Sequence, residues 1–202
     1  MASEGARGIY AKTPARRRKI LSAAVGVFAE SGYRKGSLRE IAERVGMSQA
    51  GLLHHFSNKH LLLSEVLSMR DDLSAQHFEG DLETISGLEF LRGYVRLIDA
   101  NSSARGLVEL YCVVSAEATA SDHPAHDYFV GRYEYVLGKL ESAFADMQAD
   151  GQLRPGLTPR DAASALAALT DGMQLQWLLL PDSGGMGDSV RRFLNAVTTL
   201  TF

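Results

Sequence analysis

Apolar residues recur at steps of three and four along most of this 202-residue chain, and no segment alternates strictly between apolar and polar positions. Such spacing places the apolar side chains on one face of an α-helix, because the helix turns about 100° per residue. The pattern therefore predicts helices and no strands. The predicted helices lie roughly at residues 13–31, 38–45, 48–56, 59–77, 88–98, 107–118, 122–151, 158–180 and 188–200.

The stretch from Ser37 to Lys59 carries the clearest start and stop signals. Ser37 and Glu40 fit the S-x-x-E capping box, in which both side chains bind backbone N–H groups at a helix start. Gly46 can end that helix because glycine adopts a left-handed conformation without a Cβ clash, and Ser48 can begin the next one. Two short helices joined by a glycine turn indicate either a DNA-binding helix-turn-helix or an ordinary helical hairpin.

The preceding helix has boundary signals of its own. Residues 1–12 are mostly small and polar, which predicts a disordered arm. Thr13 and Pro14 predict an N-cap followed by proline at the first helical position, and Gly32 predicts the end of the helix. The first turns of this helix would carry a run of four basic residues, 16–19.

Charge separates the two ends of the chain. Residues 1–60 contain 11 Lys or Arg and 4 Asp or Glu, a net charge of +7. Residues 61–202 contain 10 Lys or Arg and 20 Asp or Glu, a net charge of −10, which together gives the overall −3. A basic region joined to an acidic body is typical of a nucleic-acid-binding module, and it favours the helix-turn-helix over the plain hairpin.

Other features bear on location. Cys112 is the single cysteine, so no intramolecular disulfide can form, which suits a reducing cytosol. The N-terminal stretch has no apolar core of a secretory signal, and no run of about eighteen apolar residues predicts a membrane span. We therefore expect a cytoplasmic protein with no membrane partner.

Residues 14–70 resemble the DNA-binding region of the tetracycline-repressor (TetR) family of bacterial transcriptional regulators. The resemblance implies an all-α protein with an N-terminal three-helix DNA-binding domain and a C-terminal helical domain for ligand binding and dimerisation. The domains expected are an arm at 1–12, a DNA-binding domain at 13–60 with its motif at 38–57, and a helical domain at 61–202. The residues that carry the resemblance are Phe28, Gly32-Tyr33, Leu38-Arg39-Glu40-Ile41-Ala42, Val45-Gly46-Met47-Ser48, Leu52, His54-His55-Phe56, Lys59 and Leu62.

The resemblance also implies which residues contact an operator. Gln49 and Arg39 are the best candidates for reading bases, since glutamine can bind adenine and arginine can bind guanine through two hydrogen bonds. Leu53 departs from the family, because many members carry a tyrosine there that contacts a phosphate. The full predicted contact set is Arg17, Ser37, Arg39, Ser48, Gln49, Ala50, Gly51, His54, His55 and Lys59.

In the C-terminal part, aromatic and polar residues on converging helices predict a pocket for a small, mainly apolar effector. No cofactor and no metal are expected. Plain core packing remains an alternative for any one pocket residue. The candidate pocket residues are Tyr94, Glu109, Tyr111, Cys112, Phe129, Tyr133, Met173 and Trp177, with Glu117 and Gln176 as further polar groups.

The helix over residues 160–180 is apolar almost all round, which indicates burial on more than one side. With the last helix it would form the interface of a homodimer, and a two-fold dimer would read a pseudo-palindromic operator. A central helix of a monomeric bundle is the alternative. The predicted interface residues are Leu169, Gly172, Gln176, Leu179, Phe193, Leu194 and Val197.

Three other readings stay open. Cys112 with a distant histidine could serve a thiol enzyme, although its apolar surroundings favour an inert thiol. His123 and His126, three residues apart beside acidic residues, could bind a metal, whereas the adjacent His54 and His55 point about 100° apart and make a poor chelate. The chain could also be a helical protein-interaction module without specific DNA binding. The pattern favours a dimeric, ligand-responsive repressor.

Overall fold

The computed structural model describes the backbone of residues 4–180 and 184–202, and the side chains of residues 14–180 and 184–202. These ranges form nine α-helices and, apart from one isolated bridge between Leu153 and Thr198, no β-structure, which confirms the all-α prediction. None of the helices described combines the length and the apolar character needed to cross a membrane. The helices are α1 (Glu4–Lys35), α2 (Leu38–Arg44), α3 (Gln49–Leu53), α4 (Lys59–Ala75), α5 (Gly87–Asn101), α6 (Arg105–Glu117), α7 (His126–Ala149), α8 (Pro159–Leu179) and α9 (Met186–Val197).

The first helix is longer than predicted. It begins at Glu4, nine residues before the predicted start at residue 13, and residues 1–3 lie outside the described part. Pro14 lies inside α1 and not at its first position. Alanine, arginine and lysine before it favour a helix, and this propensity outweighs the proline signal. At the other end Gly32 has φ 71° and ψ 175°, which breaks the regular helix as predicted.

The caps around the helix-turn-helix follow the sequence signals with one exception. The Ser37 hydroxyl accepts a hydrogen bond from the Glu40 N–H at 3.0 Å, and the Ser48 hydroxyl accepts one from the Gly51 N–H at 3.1 Å. Gly46 has φ 67°, the left-handed conformation expected of the turn. The Glu40 carboxylate does not complete the capping box, since it binds Arg44 at 2.8 Å, the next turn of the same helix.

We call α1 to α3 the head and α5 to α9 the body; α4 runs from one to the other. The core of the head extends into the body, because Phe28, Leu52 and Phe56 belong to the same buried cluster as Leu110 and Val114 of α6. A second buried cluster joins α5, α7, α8 and α9. The predicted boundary at residue 60 therefore falls at the first turn of α4, within continuous packing.

Candidate nucleic-acid interface and effector cavity

The outer face of α3 presents polar and small side chains to solvent. Ser48, Gln49 and Ala50 are exposed at the start of the helix. On the opposite face Leu52 is fully buried, and Phe56 is fully buried in the turn that follows. Because these two anchors hold the helix against the head, the exposed residues are presented on a rigid support. This is the arrangement that a helix needs to enter a DNA groove.

Two further residues of the predicted contact set flank this face. Ser37 is exposed at the N-cap of α2. The Arg39 side chain is 79% exposed, and its Nε lies 2.9 Å from Glu43 Oε1. An exposed ion pair of this kind contributes little, so Arg39 can exchange it for a DNA group at small cost.

Other predicted contact residues are partly engaged within the protein. Arg17 Nη1 donates to the His55 carbonyl at 2.7 Å, its Nη2 lies 3.0 Å from Glu65 Oε2, and its guanidinium lies 4.3 Å from the Phe56 ring centroid. Arg17 thus fastens the turn after α3 to α1 and α4. Its predicted DNA contact stays a prediction.

Besides its predicted DNA contact, Lys59 makes contacts within the protein that the sequence did not predict. Its Nζ lies 4.3 Å from the Tyr33 ring centroid and donates to the Arg34 carbonyl at 3.3 Å, and burial lowers its pKa. It therefore links the start of α4 to the end of α1. His54 is exposed. Leu53 is 38% exposed, so the Leu53 side chain lies on the outer face of α3 and not in the buried core of the head.

A polar contact joins the head to the body at the kink of α1. Glu117, the last residue of α6, accepts hydrogen bonds from the Tyr33 N–H at 2.6 Å and the Arg34 N–H at 3.4 Å. A Cβ on Gly32 would lie 2.3 Å from Glu117 Oε1, so the contact also requires glycine at that position. Sequence reasoning placed Glu117 in the pocket because no local signal pairs residues 84 positions apart.

A two-lobed cavity lies among α4, α5, α6, α7 and α8. The larger lobe has a volume of about 180 Å³ and the smaller about 50 Å³, and both are lined by Arg70, Leu97, Asn101 and Gln174. Three residues predicted for the pocket line the smaller lobe: Tyr94, Tyr111 and Tyr133.

The remaining predicted pocket residues line neither lobe. Glu109 Oε1 lies 2.9 Å from Arg105 Nε, and the same guanidinium lies 5.5 Å from the Trp177 ring centroid. Phe129 packs its ring 5.4 Å from that of Tyr111 within the first buried cluster. For these positions the pocket role stays a prediction. The full set is Glu109, Cys112, Phe129, Met173 and Trp177.

The cavity is more polar than the sequence suggested. Asp171 accepts a hydrogen bond from the Tyr133 hydroxyl at 2.7 Å, and burial raises the pKa of Asp171. The Tyr94 hydroxyl donates to Thr170 Oγ1 at 3.1 Å, and burial raises the pKa of Tyr94 to about 12. These phenols are therefore neutral hydrogen-bonding groups near pH 7.

The expected dimer surface divides into exposed and buried positions. On α8, Leu179 is 70% and Leu175 is 53% exposed, and a Cβ on Gly172 would meet nothing within 4 Å. On α9, Leu194 is fully buried and Val197 nearly so, both in the second core cluster. Leu194 and Val197 therefore belong to the subunit's own core, which corrects their assignment to an interface. Leu169 and Phe193 are half-buried and Gln176 is exposed.

The histidine pair of the α6–α7 connection is occupied with local contacts. His123 is buried; its Nδ1 accepts from the Ala125 N–H at 3.2 Å, and its Nε2 lies 3.6 Å from Glu117 Oε2. His126 Nδ1 lies 2.8 Å from the Ala118 carbonyl. Over residues 14–180 and 184–202, no three His, Cys, Asp or Glu side chains cluster to hold a metal.

Cys112 is half-buried, and burial raises the pKa of its thiol to about 11. A thiol with such a pKa is protonated near pH 7 and is a poor nucleophile. This observation argues against the thiol-enzyme reading.

Comparison with known proteins agrees with this geometry. A sequence model of bacterial regulatory proteins of the tetR family matches residues 20–66, and a model of the C-terminal region of BetI-type transcriptional repressors matches residues 96–199. RutR, an HTH-type transcriptional regulator of Escherichia coli K12, is 26% identical over 142 residues. That match covers 70% of this chain and 66% of RutR.

Solved structures share the fold. A TetR-family transcriptional regulator from Agrobacterium tumefaciens has a TM-score of 0.74 at 22% identity, with 92% of this chain and 99% of that one covered. NalD, the secondary repressor of the MexAB-OprM multidrug efflux pump in Pseudomonas aeruginosa, has a TM-score of 0.66 at 23% identity, with 92% and 94% covered.

The resemblance seen in residues 14–70 is thus confirmed by a match over the helix-turn-helix and extended by a second match over more than half of the chain. The chain belongs to the TetR family of bacterial regulatory proteins, whose members are DNA-binding transcriptional regulators.

Proposed function

We propose that this chain is a dimeric, ligand-responsive transcriptional repressor that binds a pseudo-palindromic operator through α3 of each subunit. The observation that carries the proposal is the exposed row Ser48, Gln49 and Ala50 on a helix anchored by two fully buried residues, Leu52 and Phe56. Small side chains beside Gln49 let the helix backbone approach the floor of the groove.

Base readout falls to Gln49 and Arg39 in this proposal. Gln49 is exposed, and the hydrogen bonds described leave its amide free to bind an adenine edge. Arg39 can leave its surface ion pair with Glu43 to bind a guanine. Ser37, His54 and Lys59 would contact the backbone and position the subunit without reading sequence.

The exposed apolar face of α8 supports dimerisation. Leu175, Leu179 and Gly172 occupy one side of the helix, and covering two leucines that are more than half exposed would be favourable. The half-buried Phe193 of α9 can join this surface, and the exposed Gln176 would lie at its edge. A two-fold axis there would place two copies of α3 on successive turns of the duplex.

A structural change caused by effector binding would be transmitted to the head through two helices, α4 and α6. Arg70 of α4 and Val108 of α6 both line the larger lobe. α4 begins at Lys59 beside Tyr33, and α6 ends at Glu117, which holds the same end of α1. A ligand that favours one spacing of α4 and α6 would therefore change the position of the head, provided it binds the two states with different affinity.

Selection of genomic DNA fragments with the purified full-length protein tests the proposed function. We expect the bound fragments to share a palindrome whose half-sites lie about one helical turn apart. The double variant Arg39→Ala/Gln49→Ala should recover no common motif, whereas Lys139→Ala, in the middle of α7, should recover the same motif as the wild type. Wild-type fragments without any shared sequence would contradict the proposal.

Sedimentation velocity tests the dimer separately. The wild type should sediment as a dimer at micromolar concentration, and Leu179→Glu should shift it towards monomer because a charge would be buried in the interface. Leu157→Glu, at a position 36% exposed just before α8, is the matched control and should stay dimeric. A monomeric wild type would exclude the dimer.

A further inference from the structure

The point where the two lobes of the cavity meet is lined by polar groups without full sets of partners. Gln174 is 96% buried, yet its amide makes no hydrogen bond among the described side chains. Asn101 also lines both lobes, and its amide likewise has no partner in the described ranges. Asn101 is half-buried, and both amides line the two lobes, so their unused donors can bind a group that enters the cavity.

Arg70 lies beside the two amides and is only 8% exposed. Its guanidinium lies 4.0 Å from the Tyr111 ring centroid, and its Nη1 reaches Asp71 Oδ1 at a long 3.4 Å. That carboxylate is shared, because Arg132 Nη1 lies 3.3 Å from the same oxygen and Tyr128 donates to Asp71 at 2.8 Å. Two guanidinium groups therefore share one fully engaged carboxylate, and Arg70 keeps donors to spare.

Besides Asp71, a second acid lies in the cavity wall and does not pair with Arg70 directly. Asp171 lines the smaller lobe and is hydrogen-bonded to Tyr133. Among the described side chains it forms no ion pair with Arg70. Burial raises the pKa of Asp171. The junction of the lobes thus combines a cation with amide donors.

The larger lobe adds an apolar compartment next to these donors. Its walls include Leu73, Leu97, Ala100, Leu107 and Val108. A lobe of about 180 Å³ lies below the range of about 300–1,000 Å³ that is usual for drug-sized ligands, so the occupant must be compact.

We propose that the effector is a small organic carboxylate whose carboxyl group binds Arg70, Gln174 and Asn101 at the junction of the lobes, with its apolar body in the larger lobe. The planar fork of arginine matches a carboxylate through two parallel hydrogen bonds, and the amides supply further donors. This ligand class replaces the mainly apolar effector expected from sequence. It rests on the proposed ligand-responsive function and specifies it.

Calorimetric titration of the full-length protein without DNA tests this ligand class. The probes are hexanoate and benzoate, each compared with its neutral amide, hexanamide or benzamide, and with inorganic phosphate. We expect at least one acid to bind about tenfold or more tightly than its amide, since a charged hydrogen bond is lost in the amide. Equal binding of acid and amide, binding of phosphate alone, or no binding of either acid would overturn the proposal.

Variants locate the binding group. Arg70→Met should weaken acid binding about tenfold or more, and Arg70→Lys, which keeps the charge but loses the fork, should weaken it less. Gln174→Glu should weaken binding of the acid and leave binding of the neutral amide nearly unchanged. The new carboxylate repels the charged acid and has no such effect on the amide. Arg92→Met on the exposed side of α5 should bind as the wild type does. Undiminished acid binding by a folded Arg70→Met or Arg70→Lys protein would exclude Arg70.

DNA binding measured in parallel separates this inference from the proposed function. If the protein binds an acid through Arg70 but binds no DNA, the proposed repressor function is contradicted and the proposal of a carboxylate ligand still holds. A protein that binds a palindrome but neither acid would contradict only the ligand class.

Discussion

The helix-turn-helix and the effector cavity are built from contacts of very different range along the chain. In the motif, Ser37 binds the N–H three residues later, Ser48 does the same, and Gly46 makes the turn between them. The cavity draws Arg70, Tyr111 and Gln174 from three helices. The first is fixed by residue types a few positions apart, whereas the second depends on how whole helices pack. Substitutions in and around the head test how far it is independent of the cavity.

The largest effect is expected inside the head. Phe56 is fully buried beneath α3, and Phe56→Ala should lower the free energy of unfolding by about 3–5 kcal/mol because it removes a large side chain and leaves a cavity. DNA binding should be lost with it. Denaturant unfolding followed by circular dichroism measures the change. Leu53→Ala, three residues earlier and 38% exposed, is the control and should stay within about 0.5 kcal/mol of the wild type. A small loss for Phe56→Ala would show that α3 is not held by this core.

Two glycines separate local from long-range effects. Gly32 and Gly46 both have positive φ, 71° and 67°, but Gly32 combines it with ψ 175°, a region that is essentially restricted to glycine, so alanine has a backbone cost at both positions and the larger one at Gly32. At Gly32 the new Cβ would also displace Glu117, which would lose its hydrogen bonds from the end of α1. At Gly46 the Cβ meets nothing within 4 Å. Gly32→Ala should therefore lower the free energy of unfolding by about 1–3 kcal/mol more than Gly46→Ala.

Denaturant unfolding of the two variants side by side gives this difference. The same pair should differ in coupling: added effector should change DNA affinity less in Gly32→Ala than in Gly46→Ala. Equal destabilisation would show that Glu117 adjusts freely, and the route from α6 to α1 would then be wrong.

These contrasts show where sequence reasoning succeeds. The caps at Ser37 and Ser48, and the left-handed turn at Gly46, follow from residue chemistry within three or four positions. Of the residues predicted for a pocket, Tyr94, Tyr111 and Tyr133 line the smaller lobe, whereas Trp177 lies near Arg105 and lines neither lobe. A rotation of about 100° per residue decides whether a side chain faces a cavity, and apolar spacing alone does not fix that angle between neighbouring helices.

Apolarity likewise did not distinguish a subunit's own core from a partner surface. Leu194 and Leu179 were both predicted to lie in the dimer interface. In the structure Leu194 is fully buried and Leu179 is 70% exposed. Arg70 gave no sequence signal at all, since it lies among ordinary polar residues on α4. Its role depends on Tyr111 and Asp71 around it, and only the packing of α4 against α6 brings Tyr111 within reach.

An effect of middle size is expected at the base-reading residue. Gln49→Ala should reduce discrimination between the selected operator and single-base variants by about 1–3 kcal/mol at one position, because the paired hydrogen bonds are lost. Lys59→Ala should instead weaken binding to all DNA sequences alike. It should also lower the slope of log affinity against log salt concentration by about one. Fluorescence anisotropy over a salt series measures both. Unchanged sequence preference in Gln49→Ala would exclude the assignment.

The smallest effect concerns Leu53, where the family resemblance leads us to expect a tyrosine that contacts phosphate. Leu53 is 38% exposed on the outer side of α3, so Leu53→Tyr can be accommodated without disturbing the core. One new hydrogen bond contributes about 0.5–1.5 kcal/mol, which should raise the affinity for every sequence by up to about tenfold. A neutral hydroxyl releases no counterion, so the salt slope should stay unchanged while the affinity rises.

Leu53→Phe separates the hydroxyl from the ring, since it adds the aromatic surface without a donor. If Phe and Tyr raise affinity equally, the gain comes from packing and not from a phosphate contact. If neither raises it, the exposed neighbour His54 already supplies that contact, and the combined variant Leu53→Tyr/His54→Ala should then bind as tightly as the wild type whereas His54→Ala alone binds more weakly. The two outcomes therefore distinguish packing at position 53 from a phosphate contact made by His54.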